Sequence, residues 1–412
     1  MNKQAESKHI LFLTHYFPPE GNAPASRVYE MAKCWIKDGQ RVTVITGVPN
    51  VPDGIVYEGY KNRLYQKETI DGITVIRVWT YIAANKGTLR RIMNYLSYMS
   101  SSVLAGLFVR SPDVVIATSP QFFCGWAGVI LSKLRRRRFI LEIRDIWPDS
   151  IIAVGTSMPK LLIKMLEVLE ILMYKAADTI VTVGDGYKDQ LTAKKVHAGK
   201  IAVITNGADT AIFKPSPRNQ AVISQYGLMD KFVCSYVGTI GMACGLDIVI
   251  DAAEKLRAGN NGRIAFLLVG DGARRHELEQ LAKDRKLNNV IFTGRLPKED
   301  IPSILSASDA NLIHLIKNDL FKSVLPSKIF EAAAMKNPII IGVQGYAADF
   351  VRTIEAGICI EPGNSDELLD ALEKISGDGE LAERMGQKGY ENIIRHYTRE
   401  SLAKKYLEII NQ

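Results

Sequence analysis

Apolar positions along the chain fall into short unbroken runs. His9–Thr14 (HILFLT), Arg41–Thr46 (RVTVIT), Ile73–Trp79, Asp113–Thr118 (DVVIAT), Phe139–Glu142, Thr179–Val183 and Lys200–Thr205 are of this kind. Runs without alternation read as strands buried on both faces, as in a parallel sheet covered by helices. Helix-length stretches separate them: Ala25–Asp38, Ile92–Val109, Phe122–Leu134 and Lys160–Ala176. Val48–Glu68 interrupts the series as a polar excursion with no element assigned to it. A second series follows, with strands predicted at Phe232–Val237, Ile264–Val269, Val290–Thr293, Ala310–Leu315 and Pro338–Ile341. Helices are expected at Leu246–Leu256, around Arg274 and Arg275, at Lys298–Ser306 and after Pro326. The stretch from Asn206 to Pro217 reads as a linker. The fold class is therefore α/β, with two Rossmann-like βαβ domains expected at 1–208 and 209–396. An amphipathic segment, Tyr397–Gln412, is expected to cross back to the first domain.

Composition agrees with two buried cores: the chain has 412 residues, 47% of them hydrophobic. Its five cysteines are odd in number, far apart and form no CxxC, which argues against a disulfide framework or a thiolate metal site and fits a reducing cytoplasm. The N-terminus does not read as a secretory signal. The six histidines are isolated, with no HExxH or Asp-x-Asp cluster, so neither a metal nor another cofactor is expected.

The net charge of +8 changes the picture, because it is concentrated. Between Lys86 and Arg138 stand nine lysines and arginines, including Arg90, Arg91, Arg135, Arg136, Arg137 and Arg138, against the single acid Asp113. Such a cluster draws a protein to an anionic surface, at about 1 kcal/mol per basic residue near anionic lipid. No nucleic-acid module accompanies it, so a membrane surface is favoured over nucleic acid, and an inert solvated face is the alternative. Ile92–Val109 has no charge over eighteen positions. Asn94, Ser97 and Ser100–Ser102 within it argue for a helix packed on the sheet with an interfacial patch, not a membrane span.

Candidate chemistry lies past the strand ends, where open α/β sheets bind ligands. In the second half, Pro326-Ser327-Lys328 enters a predicted helix. A helix start and a lysine both favour an anion such as a diphosphate. Glu331, three residues on, shares the face of Lys328 and suits a vicinal diol such as a ribose. An ordinary surface pair explains the two equally well on the helix alone. Gly238-Thr239-Ile240-Gly241, Gly270-Asp271-Gly272 with Arg274, and Gly294-Arg295 are predicted to end strands at the same edge, a rim of accessible N–H groups for a nucleotide or other phosphate. In the first half, Gly21 and Asn22 occupy the first strand-end loop. Arg144-Asp145 through Asp149-Ser150 follow a later one, with Asp145 or Asp149 as base or acceptor for a hydroxyl, unless they cap the next helix.

HYFPPEGNAPASRVYEMAKCWIKDGQRVTVIT, LEIRDIWPDS, FLLVGDGARRHELEQLA, VIFTGRLPKEDIPSILSASDA and LPSKIFEAAAMKNPIIIG together resemble the retaining glycosyltransferases of family 4. LEIRDIWPDS and the Pro-Ser-Lys before Glu331 resemble in particular the subgroup that builds O-antigen, capsule and colanic-acid units, N-acetyl-fucosaminyl transferases included. The resemblance covers nearly the whole chain. It implies the GT-B architecture, two domains facing each other across a cleft, and metal-independent transfer of an N-acetylated sugar with retained configuration. The implied donor is UDP-type, and the implied acceptor is a sugar on polyprenyl diphosphate at the inner face of the membrane. Glu331 matches the second glutamate of the family's Glu-x7-Glu motif. The first falls at Ser323, the phosphate-binding Arg and Lys of the first glycine loop fall near Thr239 and Cys244, and a customary histidine is replaced by Arg144. Lys328 with Arg274 or Arg295 would then supply the lost charge. Two rival readings keep the fold: a nucleotide-sugar 2-epimerase, and a non-catalytic nucleotide-sugar-binding scaffold suggested by Ser323 and Cys244.

Overall fold

Runs of Val, Ile and Leu make central strands because parallel pairing buries both faces. In the computed structural model, which describes residues 7–51, 54–82, 88–119, 121–149, 159–259 and 261–412, the strands end in 0–4% exposed side chains at most core positions. Lys86 and Ser150 lie outside the described residues. The chain divides into two units, one comprising the residues up to Thr205 with Arg399–Gln412, the other Asn206–Thr398.

The first unit contains β1 (His9–Leu13), α1 (Ala23–Lys37), β2 (Arg41–Gly47), β3 (Tyr65–Ile70), β4 (Ile73–Val78), α2 (Thr88–Leu107), β5 (Val114–Thr118), α3 (Phe122–Arg135), β6 (Arg138–Ile143), α4 (Lys160–Ala176), β7 (Thr179–Thr182), α5 (Asp185–Ala193) and β8 (Ile201–Val203). The sheet order is β3-β4-β2-β1-β5-β6-β7-β8, parallel except where β3 meets β4. β3 takes up the end of the polar excursion Val48–Glu68, to which the sequence pattern assigns no element. It is a polar edge strand joined to β4 by Asp71-Gly72, both at positive φ as a two-residue hairpin turn demands. Trp35 on α1 is fully buried and donates its indole N–H to the Ala403 carbonyl at 3.1 Å, fastening the C-terminal helix Arg399–Asn411 to this unit. Arg27 and Glu142 pair at 3.3 Å with almost no exposure, and Arg27 also donates to the carbonyls of Ile204 and Thr205. α2 begins before the predicted Ile92. No helix among the described residues is long and apolar enough to cross a membrane.

The second unit holds β9 (Phe232–Val237), α6 (Asp247–Ala258), β10 (Ile264–Val269), α7 (Arg275–Asp284), β11 (Val290–Gly294), β12 (Ala310–His314), α8 (Lys328–Ala334), β13 (Ile339–Gly342) and β14 (Gly357–Cys359). Its sheet is parallel throughout, in the order β11-β10-β9-β12-β13-β14. α8 has only seven residues, ending where Lys336 turns left-handed ahead of Asn337-Pro338. The loops after β9 and β10 touch so closely that a side chain on Gly270 would strike the Gly238 carbonyl, and one on Gly272 the Ile240 carbonyl.

Candidate functional site

In the second unit the decisive side chain is Lys328. It does not stay at the start of α8. Its chain reaches back to the loop after β9, where the ammonium lies 3.8 Å from the centroid of the Tyr236 ring. Gly238, at φ +142°, makes the room: a Cβ there would stand 2.6 Å from Nζ. Among the described residues the ammonium has no ion-pair partner. Burial lowers its pKa to about 8, and the nearby Cys244 and Glu331 only partly offset this. A cation held over an aromatic face with no counter-ion is poised for an anion. Ser327, at the cap of α8, makes no capping bond.

The rim of free amides is smaller than predicted. Gly238 N–H donates to Val269, Ile240 to Asp271, Gly270 to Gly294, and Gly272 to the Asp271 carboxylate. The amides of Thr239 and Gly241 donate to nothing among the described residues. The expectation that Arg274 supplies lost charge fails, because its guanidinium is held by Asp247 at 2.8 Å and Glu277 at 2.7 Å. Arg295 is exposed and Glu331 half-buried. Ser323, where a carboxylate is customary, is buried and donates to the Leu320 carbonyl at 2.8 Å. Among the described residues no group of three or more His, Cys, Asp or Glu could hold a metal ion.

In the first unit, Arg144 follows β6. Burial lowers its pKa to about 10, with Glu142 acting against that. Asp145 is half-buried beside Tyr187, whose hydroxyl is pushed up chiefly by burial and also by Asp145. Asp149 is no free base: Lys194 bridges it at 2.9 Å to the buried Glu170. Asn22 is not free for a ligand either, since its side chain caps α1 by accepting from Ala25 N–H at 2.9 Å. Gly21 beside it is exposed.

With this geometry in view, comparison with known proteins gives the family. Residues 22–207 match the family described as glycosyl transferase 4-like domain, and residues 220–392 match glycosyl transferases group 1. The chain belongs to the glycosyltransferases. It is similar to the putative colanic acid biosynthesis glycosyl transferase WcaI of Escherichia coli K12, 26% identical over 92% of this chain and 96% of the relative. Among solved structures it resembles sucrose-phosphate synthase of Thermosynechococcus elongatus, with TM-score 0.77, 16% identity and 98% of each chain covered. HepE of Anabaena in complex with UDP and glucose gives TM-score 0.73 at 18% identity, covering 98% of this chain and 99% of that one. The fold is GT-B.

The basic run of this glycosyltransferase divides in two. Arg135 donates to the carbonyls of Leu107 and Val109 at 2.7 Å, closing the end of α2. Arg138 donates to Ile409, at 2.7 Å, and Ile410 at the end of the C-terminal helix. Both are thus committed to helix ends, against the expectation that they face a membrane surface, whereas Arg90, Arg91, Arg136 and Arg137 are exposed. Sequence reasoning missed Tyr236, which looked like one more core residue of β9. It also missed His314, whose Nδ1 donates to Cys244 O at 2.7 Å while Nε2 accepts from Gly363 N–H at 2.9 Å, tying two loops together. His15 was passed over as well. It is buried against the rings of Tyr16, Tyr95 and Tyr98, with its pKa lowered to about 4 by that burial.

Proposed function

We propose that this glycosyltransferase moves an N-acetylated hexosamine-type sugar from a UDP-type donor to a sugar on polyprenyl diphosphate, in assembly of a bacterial surface polysaccharide such as O-antigen or capsule. Configuration is retained and no metal is used. The observation that carries this reading is Lys328, a cation without a counter-ion among the described residues, placed in the glycine loop after β9. It is supported by the whole-length similarity to a protein named for colanic acid biosynthesis, by a further relative named O-antigen chain mannosyltransferase C, and by a fold neighbour solved with UDP and glucose.

In this reading Lys328 and the amides of Thr239 and Gly241 hold the diphosphate, and Glu331 accepts from the ribose hydroxyls. As the bond to the sugar breaks, negative charge grows on the leaving phosphate. A preorganised cation there lowers the barrier by about 2–4 kcal/mol. The leaving phosphate takes the proton of the acceptor hydroxyl, and Asp145 orients that acceptor. Arg90, Arg91, Arg136 and Arg137, with exposed Met93, Leu96, Phe108 and Leu134, dock the protein on the anionic inner leaflet.

The test is incubation of purified protein with UDP-N-acetylhexosamines and a short polyprenyl diphosphate sugar, with EDTA present. A product whose new linkage keeps the donor's anomeric configuration is expected. Formation of a 2-epimer from donor alone would favour the epimerase reading, and no turnover with any donor would favour the scaffold.

A further inference from the structure

Three neighbouring strand ends of the first unit collect polar groups that nothing among the described residues satisfies. Ile143 pairs with Thr182, and Thr182 with Val203. Arg144, Gly184 and Thr205 therefore emerge from β6, β7 and β8 one or two residues past the last paired positions. Nε and Nη1 of Arg144 are sealed from solvent without a hydrogen-bond partner among the described residues. Thr205 Oγ1 is in the same condition. Gly184 caps α5, a nine-residue helix with no side-chain cap, and the amides of Asp185 and Gly186 donate to nothing among the described residues.

The surrounding charges do not explain Arg144. Glu142 is taken by Arg27, with Thr118 as a further donor, and Glu30 is taken by Arg399 at 2.6 Å. Three guanidinium groups thus share two carboxylates, and Arg144 is the one left over. A buried cation in this state weakens the fold unless something beyond the described residues completes it. The groups at these neighbouring strand ends are a guanidinium fork, the amides of a helix start and a hydroxyl. Together they match the oxygens of a phosphate or a carboxylate.

We propose that Arg144, the first-turn amides of α5 and Thr205 form an anion subsite that reads a phosphate or carboxylate on the acceptor. The proposal rests on the reading of the first unit as the acceptor side, and it narrows the acceptor to molecules carrying negative charge near the hydroxyl that reacts. Neutral saccharides are then poor acceptors.

The test uses the full-length protein and calorimetric titration with two probes, inorganic phosphate and D-glucuronate, which separate the two sources of the anion. At least one is expected to bind, and Arg144→Gln to weaken it tenfold or more, with Thr205→Val weakening it less. Without added anion, Arg144→Gln should melt no lower than wild type, because it removes an uncompensated charge. A lower melting temperature for that variant would make Arg144 structural and overturn the proposal. So would the failure of both probes to bind, or binding indifferent to Arg144→Gln. Lys328→Ala separates this from the donor reading: it should lose UDP while keeping the anion. Loss of the anion in Lys328→Ala but not in Arg144→Gln would place the anion in the second unit and overturn the subsite. UDP binding unchanged by Lys328→Ala would sink the donor reading and leave the subsite standing.

Discussion

The carboxyl edges of the two sheets carry positive charge in different ways. In the first unit Arg27 and Arg399 are buried against Glu142 and Glu30, Arg27 braces the carbonyls after β8 as well, and Arg144 alone of the three is left over. In the second, Lys328 stands over Tyr236 with no carboxylate in ion-pair range among the described residues, while Arg274 is paired with Asp247 and Glu277. Paired charges hold loops in place, whereas charges left unpaired raise the free energy of the unliganded fold and mark where a ligand belongs. The same division runs through the arginine cluster, where Arg135 and Arg138 close helix ends and Arg136 and Arg137 face solvent.

The contrast is open to attack at several points. Arg27→Met strands Glu142 in the core and should cost about 3–5 kcal/mol of stability, measured by urea unfolding. A cost under 1 kcal/mol would show that pairing does not matter there. Gly238→Ala adds a Cβ at positive φ against the Lys328 ammonium. It should lower kcat/KM by about 30–100-fold, roughly 2–3 kcal/mol by strain and displacement of the cation. Arg136→Gln with Arg137→Gln should weaken binding to anionic vesicles by about 2 kcal/mol. Arg135→Gln should instead lower the melting temperature, and equal effects on vesicle binding would erase the distinction.

The smallest effect is a pH dependence. Lys328 titrates near 8 in the free protein because burial disfavours its charge. Donor kcat/KM should fall about tenfold per pH unit above that value. Stability moves the other way. The folded pKa lies below the unfolded value of about 10.4, so between pH 8 and 10 the unfolded chain binds more protons and this residue's contribution to stability rises with pH. Unfolding of wild type and Lys328→Met, compared across that window, reads the sign directly.

The buried strands were legible because a parallel sheet needs unbroken apolar runs, and β9 and β10 fall on the predicted residues. β3 was not, since an edge strand with one face in water carries Gln66, Lys67 and Glu68, and only Asp71-Gly72 announced the hairpin. Lys328 and Glu331 were visible as a pair on one helix face. Where the lysine goes was hidden, because it depends on Tyr236 and on a missing Cβ at Gly238, some ninety residues away. Arg274 read as available for the same reason: Asp247 is far off in sequence. Runs of arginine look alike in one dimension, and only helix-end carbonyls sort them.

Calorimetric titration of UDP into wild type and Lys328→Ala tests the central claim most directly. A loss of affinity of tenfold or more, with no fall in melting temperature, is the predicted result. Equal affinity in the two proteins would contradict it, because the lysine would then have no part in holding the diphosphate.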